Sequence, residues 1–153
     1  MAWDVVVAGG GIAGVSVAAE LAAHRSVLLV EAEAELARHT TGRSAAVYLP
    51  SYGGPVVRAL TAASRARIPD GLLTPRATLW VSTDGPAPAI PGATPIDPDR
   101  ARELCPALRP GVVTAAAVDE HTADIDAMAL HQHYVRLLRA AAARSAAARR
   151  SPP

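Results

Sequence analysis

The first thirty residues contain two apolar runs, separated by a glycine-rich turn and an alanine-rich segment. Val5 to Val7 form a β-branched run that is typical of a strand covered on both faces. Between Ile12 and His24 the apolar residues recur at the spacing of a helix. The run SVLLV then predicts a second buried strand, which ends on Glu31. This order of elements predicts a βαβ unit at the start of an α/β fold.

The rest of the chain is predicted to contain short strands and helices in mixed order. Residues 77–82 (ATLWVS) and 112–118 (VVTAAAV) are typical of strands, and residues 84–98 are typical of a proline-rich loop. Helices are predicted to begin at Gly54-Pro55, at Asp97-Pro98 and at Asp126. The first of these helices has a predicted apolar face formed by Val56, Leu60, Ala63 and Ile68. The apolar face of the last helix is formed by Leu130, Tyr134, Leu137, Leu138 and Ala141.

Composition and charge exclude several classes of protein. The chain has 153 residues, half of them hydrophobic, which is enough for one domain with a core. Its net charge of +1 argues against nucleic acid as a partner, and its single cysteine, Cys105, excludes an internal disulfide.

His131 and His133 are two apart on a predicted helix and cannot chelate one metal ion, so no metal site is predicted. No apolar run approaches the ~18 residues of a membrane span, and the N-terminus lacks the pattern of a signal peptide. A cytoplasmic protein is therefore expected.

The glycine-rich turn has the spacing of a dinucleotide-binding motif. Gly9, Gly11 and Gly14 satisfy G-x-G-x-x-G between the predicted strand and helix. The first glycine permits the tight turn, the second lets a pyrophosphate approach the backbone, and the third lets the helix pack closely. Ile12 and Ala13 begin the helix, where N–H groups without helical partners favour an anion. The alternative is a glycine-rich turn in some other α/β protein.

Glu31 stands where a dinucleotide-binding fold places the acid that accepts a ribose hydroxyl. It follows Gly9 by 22 positions, and the motif usually places the acid about 20 positions after its first glycine. A carboxylate there suits the adenosine ribose of NAD and of FAD alike, and it would repel the 2′-phosphate of NADP.

The segment HTTGRSAAVYLPSYGG, residues 39–54, has the residue types of a loop that contacts a cofactor. It offers hydroxyl groups and a guanidinium for phosphate and flavin oxygens, followed by two small residues where a flat ring can approach the chain. These residues are Thr40, Thr41, Arg43, Ser44, Ala45 and Ala46. The alternative is a helix-capping loop in which Arg43 is only solvated.

The glycine motif, this segment and residues 122–139 (TADIDAMALHQHYVRLLR) together resemble the FAD-dependent D-amino-acid oxidase superfamily. The match is nearest to the D-arginine dehydrogenase branch, in which a [ST]-T-G-R-S-A-A segment passes beneath the flavin, and it extends to about Ala143. The resemblance implies FAD as cofactor and a small-molecule amino-acid substrate. It implies an incomplete Rossmann-like FAD-binding domain joined to part of an α+β substrate domain.

The resemblance also implies candidate substrate contacts. Tyr52 matches a position that, in the D-arginine dehydrogenase branch, lies on a mobile loop over the substrate. Tyr48 lies nearer the flavin segment, where it could equally be a core aromatic. Thr78 stands where the D-arginine branch has an acidic residue, and Val47 and Leu49 replace more polar residues. A neutral or apolar amino acid is therefore expected as substrate.

Members of the family are more than twice as long, so the resemblance implies a truncated chain that is inactive alone. Residues 1–72 are predicted to belong to the FAD-binding domain, 73–120 to a partial substrate domain and 121–143 to a helix returning to the first. Residues 144–153 are predicted to be a disordered or frame-shifted tail, because the apolar stripe stops and alanine, arginine, serine and proline follow. Two alternatives stay open: a non-catalytic nucleotide-binding fragment and an NAD-binding dehydrogenase domain. The oligomeric state is left open.

Overall fold

The computed structural model of the protein describes residues 2–150 of the chain, with side chains described for residues 2–142. The described residues divide into two compact units. One contains residues up to 45 together with residues from 126 onward, and the other contains residues 46–125. Each unit is formed by its own strands and helices. The assignment of segments to cofactor and substrate domains, with boundaries at 72/73 and 120/121, stays a prediction.

The first unit contains the predicted βαβ unit and the long C-terminal helix. Its elements are β1 (Val5–Ala8), α1 (Ile12–Leu21), β2 (Val27–Val30), a 3-10 turn (Thr41–Arg43) and α4 (Ala127–Arg150). Strands β1 and β2 pair in parallel, with Val5 opposite Val27. Helix α1 packs against both strands and against α4. The predicted α/β fold is confirmed.

The core of this unit lies between its two helices. Helix α1 buries Val15, Ala18 and Ala19, whose small size lets a second helix approach closely. Asp126 caps α4 as predicted, because its side-chain Oδ1 accepts a hydrogen bond from the N–H of Ala129 at 2.8 Å. The predicted stripe of α4 is largely buried, although Leu137 is exposed.

The prediction that β1 is covered on both faces is wrong for the residues that the structure describes. Val6 is 59% exposed, while Val5 and Val7 on the other face are partly covered. Successive strand residues point to opposite faces, and α1 packs on one face of this two-stranded sheet. An unbroken valine run does not distinguish this arrangement from a strand covered on both sides.

The second unit is built from two antiparallel sheets of three strands, in the orders β3-β8-β4 and β5-β7-β6. Its strands are β3 (Val47–Tyr48), β4 (Leu73–Pro75), β5 (Thr78–Ser82), β6 (Thr94–Ile96), β7 (Ala115–Asp119) and β8 (Ala123–Ile125). Its helices are α2 (Pro55–Ser64), followed by a 3-10 turn (Arg65–Arg67), and α3 (Pro98–Leu104). A small core forms where Ala101 of α3 packs with Val113 and Ala116.

The predicted helix starts in this unit are confirmed, but the predicted apolar face of α2 is not. Gly54 precedes α2 with Pro55 in its first turn, and the side chain of Asp97 accepts a hydrogen bond from the N–H of Arg100 at 2.9 Å. Val56 is 72% exposed and Leu60 is 63% exposed, because no described element covers that side of α2. Residues 94–96, predicted as loop, form β6, and β7 begins at residue 115 instead of 112.

The backbone of α4 continues beyond the predicted end of its apolar stripe. It is helical to Arg150. Residues 151–153, and the side chains from residue 143 onward, lie outside the described part of the chain, so the predicted tail stays a prediction. Among the described residues, no helix combines the length and the apolar character that crossing a bilayer requires.

Candidate functional site

The turn between β1 and α1 has the geometry that its glycines predict. Gly9 has a φ of +101°, which side chains rarely adopt, and its N–H donates to the carbonyl oxygen of Val30 at 2.8 Å. A β-carbon on Gly14 would overlap the carbonyl oxygen of Gly9. The absence of side chains therefore lets α1 start immediately against the turn.

Gly10, between the first two motif glycines, is held by groups from three other segments. Its N–H donates to Oε2 of Glu31 at 2.6 Å. Its carbonyl oxygen accepts from Nε2 of His131 at 2.8 Å and from the N–H of Ala37 at 3.3 Å. A β-carbon at Gly10 would overlap the side chain of Leu36. Both peptide groups of Gly10 are thus fixed in orientation.

The start of α1 presents N–H groups to its surroundings. Gly11 is the N-cap residue and supplies no side-chain cap. Within the part of the chain that the structure describes, the N–H groups of Gly11 and Ala13 have no hydrogen-bond partner. The N–H of Ile12 donates to Oγ1 of Thr41 at 3.0 Å, which brings Thr41 against the helix start. The arrangement is that of an anion site at a helix N-terminus.

Glu31 keeps its negative charge at the edge of this turn. Its Oε1 accepts hydrogen bonds from the N–H groups of Ala32 and Glu33, at 2.7 Å and 3.0 Å. The N–H of Gly10 lowers the pKa of the Glu31 carboxyl below its usual range, and the other two N–H groups add to this effect. The carboxylate is therefore present as an acceptor at neutral pH. Oε2 accepts one hydrogen bond and retains a further lone pair, whereas Oε1 already accepts two.

The residues that follow Thr41 are open to solvent. Arg43, Ser44 and Ala45 are exposed, as is Thr40 on the other side of Thr41. No ion pair of Arg43 occurs among the residues whose side chains are described. Ala46 is half-buried and has a φ of +56°, an uncommon conformation for a residue with a side chain. Of the predicted cofactor contacts, the structure thus brings seven together around the glycine turn: Gly9, Gly11, Ile12, Ala13, Gly14, Glu31 and Thr41.

The three candidate substrate residues belong to the second unit. The hydroxyl group of Tyr48 donates to the carbonyl oxygen of Thr61 in α2 at 3.4 Å, whereas Tyr52 is 63% exposed in a turn. Thr78 begins β5 and donates from its Oγ1 to Oγ1 of Thr122 at 3.0 Å. Its cross-strand neighbour Asp119 is buried, with Oδ1 accepting the N–H of His121. Asp119 therefore does not offer an exposed carboxylate beside Thr78.

The sequence pattern did not identify the contact of His131 with the glycine turn. The spacing of His131 from His133 excluded a shared metal ion and indicated no other role for His131. A contact between residues 121 positions apart gives no local signal. No cluster of side chains suited to a metal ion occurs among the described residues.

Comparison with known proteins identifies the family to which this architecture belongs. A family model described as FAD dependent oxidoreductase matches residues 4–148, which is most of the chain. The predicted resemblance and the predicted cofactor, FAD, are confirmed at the level of this family.

Solved structures with the same fold are about twice as long as this chain. An L-α-glycerophosphate oxidase from Mycoplasma pneumoniae with FAD bound matches with a TM-score of 0.73 and 17% identity, over 91% of this chain and 43% of its own. A glycine oxidase from Bacillus cereus matches with a TM-score of 0.69 and 18% identity, over 92% and 46%. An L-proline dehydrogenase from P. horikoshii matches with a TM-score of 0.67 and 18% identity, over 89% and 41%. The chain spans less than half the length of these structures.

Proposed function

This chain belongs to the family of FAD-dependent oxidoreductases, and we propose that it binds FAD at the turn between β1 and α1. The observation that carries the proposal is the pair of N–H groups of Gly11 and Ala13 at the start of α1, next to glycines that leave room for a ligand. Such N–H groups, with the positive end of the helix dipole, stabilise a pyrophosphate. Oε2 of Glu31 is placed to accept a hydrogen bond from a hydroxyl group of the adenosine ribose.

Thr41 and the residues after it are proposed to extend this site toward the flavin. The Thr41 hydroxyl accepts the N–H of Ile12, and its own hydrogen remains available for a phosphate or flavin oxygen. Arg43 and Ser44 are exposed and carry donors suited to anionic oxygens. Ala45 and Ala46 leave room for a flat ring beside the backbone. Thr40, on the other side of Thr41, is also exposed and is proposed as a further contact.

We further propose that the full-length protein oxidises a CH–NH bond of a small amino acid. A bound FAD would supply the redox chemistry as the acceptor of a hydride from Cα and a proton from the amine, and the imine left behind would react with water to give a 2-oxo acid and ammonia. The protein's part is to orient the amino acid and to hold its Cα–H toward the cofactor. Tyr52, exposed in its turn, is the candidate in this chain to cover a substrate. The glycine oxidase among the similar structures supports this class of substrate.

The residues of the second unit favour a neutral side chain on that substrate. Thr78 carries no charge, and its hydroxyl is engaged by Thr122. Val47 is 44% exposed, and the carboxylate of its cross-strand neighbour Asp124 is already paired with Arg76. A cationic substrate would therefore lose water without gaining a counter-charge, which is unfavourable.

We expect the full-length protein to oxidise neutral D-amino acids with a higher kcat/KM than D-arginine. Thr78→Glu should raise the ratio of D-arginine to neutral substrate about tenfold, because a new carboxylate would pair with the guanidinium. Anaerobic bleaching of the flavin absorbance by each amino acid measures these rates, and Thr78→Gln is the uncharged control of equal size. A wild-type preference for D-arginine, or the same shift in Thr78→Gln, would disprove the role of Thr78.

Two other functions are distinguished by the same spectra. A non-catalytic nucleotide-binding protein would take up FAD without bleaching in the presence of any amino acid. An NAD-binding dehydrogenase would lack flavin absorbance.

A further inference from the structure

His131 is a fully buried polar residue beside the glycine turn. It lies in the second turn of α4 with an exposed fraction of 0%, and its Nε2 lies 2.8 Å from the carbonyl oxygen of Gly10. Burying an imidazole is unfavourable unless its polar atoms are hydrogen-bonded, so an apolar residue would be the simpler choice at a position with only a packing role. The contact joins α4 to the cofactor-binding turn within the first unit.

The hydrogen bond has a defined direction. A carbonyl oxygen only accepts, so Nε2 of His131 carries the hydrogen and donates it. Nδ1 has no hydrogen-bond partner among the residues that the structure describes. The neutral tautomer with hydrogen on Nε2 therefore uses its one N–H group on Gly10 and leaves no buried N–H without an acceptor.

This bond fixes the orientation of the Gly10–Gly11 peptide group. All peptide bonds among the described residues are trans, so the N–H of Gly11 points opposite to the carbonyl of Gly10. With that carbonyl directed at the buried His131, the N–H of Gly11 is directed away from α4. The preceding peptide group is fixed separately, by the bond from the N–H of Gly10 to Glu31.

We propose that His131 is a positioning residue for the cofactor site: it holds the Gly10 carbonyl so that the N–H of Gly11 is oriented for the pyrophosphate. This inference rests on the proposed binding of FAD at the turn. The N–H of Ala37 donates to the same carbonyl at the longer distance of 3.3 Å, so it supports the orientation less strongly. A pre-oriented N–H group needs no rearrangement when the anion arrives, and this increases affinity.

The test compares two replacements of His131 that differ in hydrogen bonding. His131→Leu replaces the donor by an apolar side chain, whereas His131→Gln places an amide N–H near the position of Nε2. We expect His131→Leu to bind FAD about tenfold more weakly, as for the loss of a buried hydrogen bond. His131→Gln should restore affinity to within about threefold of wild type. His133→Leu is the matched control, because the ring of His133 contacts Tyr134 and not the turn. The FAD affinity of this variant should be unchanged.

FAD affinity is measured by flavin fluorescence titration of the whole chain, with the melting temperature of the FAD-free protein recorded for each variant. If His131 has only a packing role, the leucine variant should bind FAD at least as tightly as the glutamine variant. That result would overturn the inference. A glutamine variant that binds as weakly as the leucine variant, or fails to fold, would overturn it too. Wild-type protein that binds no FAD would instead refute the proposed function, and the inference with it.

Discussion

Replacing Gly14 with alanine is expected to abolish FAD binding and to destabilise the first unit. A β-carbon at this position would overlap the backbone carbonyl oxygen of Gly9, and a backbone atom cannot move aside by a side-chain rotation. Overpacking of this kind costs about 3 kcal/mol, which corresponds to a decrease of roughly 10 °C in melting temperature for a chain of this size. The measurements are thermal unfolding and FAD titration of the same preparation.

Gly54→Ala is the matched control for that substitution. Gly54 also precedes a helix, but a β-carbon there would meet no atom within 4 Å. It should lower the melting temperature only slightly and leave FAD affinity unchanged. Equal effects of the two substitutions would show that close packing of α1 against the turn does not matter.

Replacing Gly11 with valine is expected to remove FAD binding while leaving the fold largely intact. Gly11 has a φ of −76° and a ψ of −179°, which any residue adopts, so valine meets no backbone strain. A β-carbon would lie 3.2 Å from Oγ1 of Thr41, and the branched side chain would fill the space that a pyrophosphate needs. We expect FAD affinity to fall more than about 100-fold, beyond the loss of one hydrogen bond.

The melting temperature of the FAD-free Gly11→Val protein separates blocked binding from damaged folding. It should stay within a few degrees of the wild-type value, in contrast to Gly14→Ala. Unchanged FAD affinity in Gly11→Val would place the cofactor elsewhere.

The parts of the fold that were predicted correctly are determined by neighbouring residues. The glycine turn needs a conformation that Gly9 adopts easily, and the caps at Asp97 and Asp126 bond N–H groups three residues away. Such short-range requirements can be read from a single sequence.

The parts that were missed depend on contacts between distant residues. The short strands β3, β4, β6 and β8 have two or three residues each, too few for alternation to be recognised, and their partners are far along the chain. The exposure of Val6, Val56 and Leu60 depends on which elements cover them, and residue type does not determine this.

The candidate site was predicted in part for the same reason. The glycines and Glu31 follow a known spacing, whereas the bond from Ile12 to Thr41 and that from His131 to Gly10 join segments 29 and 121 positions apart. Thr41 was predicted as a cofactor contact from its hydroxyl group and from the family resemblance of its segment. Its additional role as a hydrogen-bond acceptor at the start of α1 required the structure.

The most direct test of the proposed cofactor site is an equilibrium titration of the purified chain with FAD and, separately, with NAD. Both contain the ADP group that the glycine turn and Glu31 are proposed to bind, and only FAD carries the flavin that Arg43, Ser44 and the two alanines are proposed to contact. Calorimetry, with flavin fluorescence for FAD, gives both dissociation constants under one set of conditions. We predict that FAD binds at least about tenfold more tightly than NAD, since only the flavin gains these additional contacts. Equal affinities, tighter binding of NAD, or no binding of FAD would contradict the proposal.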